Sequence, residues 1–303
     1  MDGILPLWKP QGMTSHDCVF KVRKLLKMKK VGHTGTLDPD VTGVLPICLG
    51  RATKVAEYIT NAGKEYEGEV TLGFSTTTED SSGEVVEEKT INKAILRSEI
   101  MDVLMELTGE ITQTPPMYSA VKVGGKRLYE YARKGISVER PSRTVQIYRI
   151  DLLDDRTQFE GETISFRFRV QCSKGTYIRT LAVTIGERLG YPAHMSFLTR
   201  ISSGSFTKED CVTFAELEEH IHSNSLETVI LPLERGLNSL PKIEISDKLA
   251  EKVKNGAVLP KDSLPWNESF TEAAIFHDHQ AIAIYRPHQD KPGLLKPVKV
   301  LYT

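Results

Sequence analysis

Apolar and polar positions along this chain follow two different periods. Residues 163–172, TISFRFRVQC, alternate strictly and place Ile164, Phe166, Phe168, Val170 and Cys172 on one face, which predicts a half-buried strand. Residues 4–9 and 65–74 read as further strands, the first ended by the turn Pro10-Gln11-Gly12. Elsewhere the spacing is helical. Val19, Val22, Leu25 and Leu26 share one face of a helix that starts at an N-cap on Ser15 and runs to Lys27. Ile95, Ile100, Val103, Leu104 and Leu107 mark a second helix over 92–107, stopped by Gly109. Shorter helices are expected over 51–59, 127–134, 177–189 and 214–221, and the polar, acidic stretch 75–88 reads as an exposed loop.

Past Leu237 to Pro241 the pattern changes. A helix over 246–254, closed by Gly256, precedes short strands near 272–277, 280–285 and 297–302. This tail has an apolar pattern of its own, so the expected division is 1–236 and 237–303. Strands outnumber helices and are mostly joined as hairpins. The expected fold is therefore mixed α+β, with a mainly antiparallel sheet and flanking helices, in preference to a doubly wound sheet.

Composition narrows the class. The chain has 303 residues, 40% hydrophobic and 26% charged, which is ordinary for a globular protein and allows two domains. No stretch approaches the ~18 apolar residues of a membrane span, and residues 1–12 lack the pattern of a signal peptide. Cys18, Cys48, Cys172 and Cys211 have no CxxC spacing, which argues against a zinc knuckle or a disulfide framework and fits a cytoplasmic location. The net charge of −1 hides a segregation. Residues 21–30, KVRKLLKMKK, carry six basic residues and no acid; residues 117–149 carry eight against two acids; residues 79–110 carry nine acids and three bases. Each run alone also fits a solvated helix face, but several basic runs flanking one loop favour a polyanionic partner.

That loop lies in residues 32–54, GHTGTLDPDVTGVLPICLGRATK. Glycines, Pro39, His33 and three threonines surround one acid, Asp38, ahead of the apolar run 44–49. Local composition allows either a nucleophile or base held in a rigid loop, or an aspartate that only hydrogen-bonds its own turn. There is no GxxxxGK[ST], no GxSxG and no GxGxxG. His277-Asp278-His279 reads as a hairpin turn, and His220 and His222 beside Glu219 point to different helix faces, so neither predicts a metal site. Asp38-Pro39-Asp40-Val41-Thr42 matches the DxDxT of Mg²⁺-dependent haloacid-dehalogenase-like phosphohydrolases, which need a buried strand before the first aspartate. Gly32-His33-Thr34-Gly35-Thr36 makes a poor one.

The loop, together with Trp8-Lys9-Pro10-Gln11-Gly12-Met13-Thr14-Ser15, closely resembles the TruB family of tRNA pseudouridine synthases. The blocks at 65–80, 113–135, 172–190 and 194–204 follow in the family's order, so the resemblance spans nearly the whole chain. It implies the pseudouridine synthase sheet and isomerisation of uridine 55 in the tRNA T-loop, with no cofactor. Asp38 falls on the catalytic aspartate, which either adds to C1′ or takes the 2′ proton. Arg179 falls on the arginine that pairs with that carboxylate, and Tyr66 on the tyrosine that stacks on the uracil. Tyr177 and Leu198 fall on pocket-lining positions, His33 on a residue inserted into the T-loop, and Lys9 and Lys54 on supporting basic positions. No matched position departs from the family's pattern. The tail from Leu237 resembles, more weakly, a PUA RNA-binding domain, a candidate holder of the acceptor stem. The implied partner is tRNA, bound by a monomer with no obligate protein partner and no membrane. A non-catalytic tRNA-binding protein on the same scaffold is the competing reading, disfavoured by intact Asp38, Tyr66 and Arg179.

Overall fold

In the computed structural model, which describes residues 1–302, contacts divide the chain into two compact units. The first comprises Met1–Pro39, Val44–Ala62 and the chain from Ser203 onward; the second comprises Asp40–Gly43 and Gly63–Ser202. The boundary expected at 236/237 coincides with neither limit.

In the first unit, strand Gly3–Lys9 lies beside strand Thr42–Leu49, which pairs antiparallel with Val31–His33. Between them runs helix α1 (Ser15–Leu26), whose Cys18, Val19 and Val22 pack with Leu5, Leu7, Val31, Leu45 and Ile47. Its N-cap is Thr14 and not Ser15: the Thr14 hydroxyl accepts from the Asp17 N–H, and the Asp17 carboxylate accepts from the Thr14 N–H. Ser15 is thus the first helical residue, and its hydroxyl bonds elsewhere. The helix expected over 51–59 is split into a 3₁₀ turn, Gly50–Lys54, and α2 (Ala56–Asn61).

The second unit is built on strands in the order Ala193–Ser203, Lys64–Leu72, Ile164–Cys172, Arg143–Leu152 and Gly109–Gln113. Lys64–Leu72 pairs antiparallel with Ile164–Cys172, and the latter with Arg143–Leu152. Thr42 and Gly43 also belong here, in parallel with Thr199 and Arg200. Gly43 has φ +118, and a Cβ there would collide with the Arg200 backbone. Helices α3 (Arg97–Glu106), α4 (Leu128–Ala132) and α5 (Ile178–Leu189) complete the unit, with α5 packed on strand Lys64–Leu72. The expected loop 75–88 instead holds a hairpin, Phe74–Thr76 with Val85–Glu88. Every residue of Val85–Glu88 is exposed, so no alternation marks the strand.

The chain then returns to the first unit through α6 (Phe214–His222) and α7 (Asp247–Lys254). A five-stranded sheet follows in the order Lys242–Glu244, Ala273–His277, Gln280–Pro287, Leu294–Val300, Leu259–Pro260. Asp278 and His279, with φ 48 and 65, form its two-residue hairpin turn. One face of this sheet packs with α7 through Ile243, Val253, Ile275 and Tyr285. The other, through Ala274, Phe276, Ala281 and Ile284, shares a core with Ile4, Val44, Cys48 and Leu301. The fold is mixed α+β with mainly antiparallel pairing, as expected. Among the described residues, no helix is long and apolar enough to cross a membrane.

Candidate active site

Asp38 sits half-buried in an irregular loop between strands Val31–His33 and Thr42–Leu49. Antiparallel pairing of His33 with Ile47 holds the loop's entrance, and Thr34 donates from both its N–H and its hydroxyl to the Pro46 carbonyl. Leu37, immediately before the acid, is held at both backbone groups by one side chain. Its N–H donates to Ser15 Oγ at 2.8 Å, and the hydroxyl donates to its carbonyl at 3.2 Å. Pro39, immediately after the acid, has its carbonyl held by Lys9 Nζ at 3.0 Å and the Gly12 N–H at 2.9 Å. The ammonium of fully buried Lys9 also donates to the Pro10 carbonyl at 2.8 Å. The segment 9–15 therefore clamps the chain on both sides of Asp38. His33 accepts from the Gly35 N–H at Nδ1, 3.3 Å, so a neutral ring carries its proton on Nε2. Lys54 takes no part in this clamp; its Nζ donates to the Val300 carbonyl at 2.6 Å. Strand Val31–His33 ends early, and residues 34–37, immediately before Asp38, form no strand, which removes the structural context that the phosphohydrolase motif needs.

Tyr66, Leu198, Tyr177 and Arg179 lie in the second unit. Tyr66 is 8% exposed in strand Lys64–Leu72, on the face it shares with Gly68 and Val70. Its cross-strand partner is Val170, and that of Gly68 is Phe168. A Cβ on Gly68 would stand 2.8 Å from the Phe168 ring and 3.3 Å from Leu198 Cδ1, so the missing side chain lets both lie across the strand near Tyr66. Lys64, also buried on this face, has its ammonium pKa lowered to about 8 by burial and by the positive charges of Arg200 and Lys174.

Tyr177 is the N-cap of α5. Its backbone is gripped by the carboxamide of buried Gln113, which accepts from the Tyr177 N–H at 2.9 Å and donates to its carbonyl at 3.1 Å. The Arg143 guanidinium lies 4.6 Å from the Tyr177 ring centroid. Arg179, 6% exposed, donates to the carbonyls of Thr78 and Tyr118, both at 2.9 Å, and pairs with Asp80 at 3.7 Å. Beside it, Thr180 donates to Glu79 Oε2 at 2.7 Å. Burial raises the Glu79 carboxyl above its ordinary value, against the opposing pull of the Thr180 hydrogen bond, Arg179 and Arg140.

Sequence reasoning missed Ser15, Gly68, Gln113, Glu79 and Asp80. The last two sit in the polar run TTTED at the end of the family-like block 65–80, where no periodicity sets them apart. At the tail hairpin, Asp247, His277 and Asp278 gather with ligand atoms within 4.8 Å. The two ring nitrogens of His277 face different carboxylates, Asp247 at 2.8 Å and Asp278 at 3.5 Å, and both acids are exposed. This geometry is a turn clasp more than a chelate.

Residues 23–178 match the TruB family pseudouridylate synthase N-terminal domain, and residues 179–238 the tRNA pseudouridylate synthase B C-terminal domain. This chain belongs to the TruB family. It is 60% identical over 300 residues to the tRNA pseudouridine synthase B of Geobacillus thermodenitrificans, with 99% of each covered. It is 59% identical over 301 residues to that of Bacillus cereus, covering 99% of this chain and 97% of the relative. Among solved structures, a Cbf5-Nop10-Gar1 complex contains a chain with TM-score 0.76 and 31% identity, covering 99% of this chain and 84% of that one. An H/ACA RNP bound to a substrate RNA containing 2′-deoxyuridine gives TM-score 0.73 and 27% identity, covering 99% and 85%. As a TruB-family member the chain is a pseudouridine synthase, an enzyme that isomerises uridine to pseudouridine.

Proposed function

We propose that this TruB-family synthase acts on uridine 55 in the T-loop of tRNA. The observation that carries the reading is the double clamp on Leu37 and Pro39, which fixes the backbone on both sides of one acid, Asp38. The reaction breaks the bond from C1′ to N1, turns the uracil over and joins C1′ to C5. The proton lost from C5 is balanced by the proton gained at N1, with no net redox change and no group donor. The uridine is first flipped out of the folded loop. Asp38 starts the reaction in one of two ways, by adding to C1′ or by taking the 2′ proton. Arg179 keeps the Asp38 carboxylate ionised and oriented, its own guanidinium being steadied by Thr78, Tyr118 and Asp80. Tyr66 stacks on the uracil and takes the C5 proton, while Tyr177 and Leu198 line the pocket. His33 enters the space that flipped bases leave in the T-loop. Lys9 acts through the loop backbone, and Lys54 supports the site from its tie to the C-terminal strand. No cofactor is needed.

The tail 237–303 acts as a PUA-like RNA-binding domain toward the acceptor stem. The enzyme works in the cytoplasm as a monomer without a protein partner. The test is to incubate an unmodified tRNA transcript with the purified protein in chelator and map pseudouridine. Wild type converts position 55; Asp38→Ala does not, yet still binds tRNA. Conversion by Asp38→Ala at the wild-type rate, or at another uridine in wild type, overturns the reading.

A further inference from the structure

The outward face of α1 carries no role in the site described above. His16, Phe20 and Lys24 follow one another at helical spacing, Lys27 caps the helix C-terminus in a left-handed conformation, and all four are exposed. Phe20 is 59% exposed, although the buried face of the same helix is complete with Cys18, Val19 and Val22. The Lys24 ammonium stands 5.7 Å from the Phe20 ring centroid. Exposed Lys29 and Lys30 extend the stripe toward His33. One acid, Asp17, borders the stripe beside His16, and none lies beside Lys24 or Lys27 in sequence. The Asp17 carboxylate closes the capping box with Thr14, and Glu218 of α6 pairs with Lys21, which is outside the stripe, at 3.2 Å.

The helix is tied to the catalytic loop at both ends. Ser15 in its first turn holds Leu37, and Arg23 in its last turn donates from Nη2 to the Val31 carbonyl at 2.7 Å. A partner seated on this face is therefore positioned relative to Asp38. The run 21–30, with six cations and no acid, suits phosphates, and the exposed Phe20 ring beside it suits a base that is not already stacked in a duplex.

We propose that this face of α1 is an RNA-docking surface for an unpaired stretch of the substrate, with Phe20 stacking on a base and Lys24 and Lys27 contacting its phosphates. The proposal rests on the tRNA reading of the site. It is tested by filter binding of an unmodified tRNA transcript to the full chain across a series of salt concentrations. Phe20→Ala weakens binding about 5- to 100-fold without changing the salt dependence. Lys24→Gln with Lys27→Gln lowers the slope of log affinity against log salt by ~1.4, at ~0.7 per single-strand contact. Affinity and slope both unchanged in the two variants overturn the proposal. So does a Phe20→Ala chain that sediments as a monomer where wild type forms a dimer, which would mark the face as a contact between copies. Binding is read without pseudouridine formation. A chain that binds through this face but leaves uridine 55 unmodified refutes the catalytic reading and leaves the docking surface standing.

Discussion

At the scale of single residues, Asp38 stands out in the sequence as a candidate because its setting is local, while its proposed catalytic role comes from the resemblance to the TruB family. Glycines, Pro39 and the following apolar run crowd into one short stretch. The groups that hold it were not legible, because they act across sequence distance: Ser15 reaches Leu37, 22 residues on. From sequence, Ser15 is a good N-cap, yet Thr14 takes that place and leaves the Ser15 hydroxyl to grip Leu37. Removing it strands a buried N–H and a buried carbonyl next to Asp38, the candidate catalytic acid. Ser15→Ala is expected to destabilise the protein by about 1–3 kcal/mol and to lower kcat more than it raises KM. Thermal unfolding and single-turnover kinetics check this, with Ser15→Thr, which keeps the hydroxyl, restoring much of the rate. A Ser15→Ala enzyme with wild-type kcat would show that the clamp does not position Asp38. Gln113 invites the same test. Gln113→Leu removes both bonds to the Tyr177 backbone and should raise KM if Tyr177 lines the uracil pocket.

At the scale of elements, α5 shows what periodicity reveals and what it hides. The helix itself was readable from 177–189, but its first turn contains no acid of its own. Glu79 supplies one from a separate segment, at a position with φ 63 that a non-glycine residue adopts only under constraint. Burial is the dominant influence and raises the Glu79 pKa above 4.5. Between 4.5 and the raised value, the folded protein binds more protons at this site than the unfolded chain, so this site's contribution to stability falls as pH rises through that window. Above the window the full cost of an ionised, buried carboxylate is present. Glu79→Gln keeps an acceptor for Thr180 and removes the charge. Its unfolding temperature should exceed that of wild type at neutral pH, and the gap should close below pH 4.5. Equal stability of the two proteins across pH 4–8 would show that the carboxylate is effectively solvated.

For the whole molecule, the tail looked like an appended module because its apolar residues are dense enough to make a core. It has that core, around Ile243, Val253, Ile275 and Tyr285. The sequence also held a second signal, in runs such as AAIF and AIAIY that do not alternate. Such runs mark strands buried on both faces. Ala273–His277 and Gln280–Pro287 are of this kind, and their second face meets Ile4, Val44 and Cys48. Val44 and Cys48 lie on the strand that leads away from the Asp38 loop. The RNA-binding role proposed for 237–303 thus comes with a structural one. Leu301, 1% exposed in the shared core, should cost about 2–5 kcal/mol on replacement by alanine, although it is far along the chain from every candidate catalytic residue. Truncation to 1–236 goes further and exposes Ile4, Val44 and Cys48 to water. The truncated chain is expected to bind a hydrophobic dye, to unfold at a much lower temperature and to lose turnover even at saturating tRNA. A purely appended domain predicts the opposite, a truncated enzyme with full-length stability and turnover and a raised KM alone. Calorimetry of the two chains, read beside their turnover at saturating tRNA, separates the two.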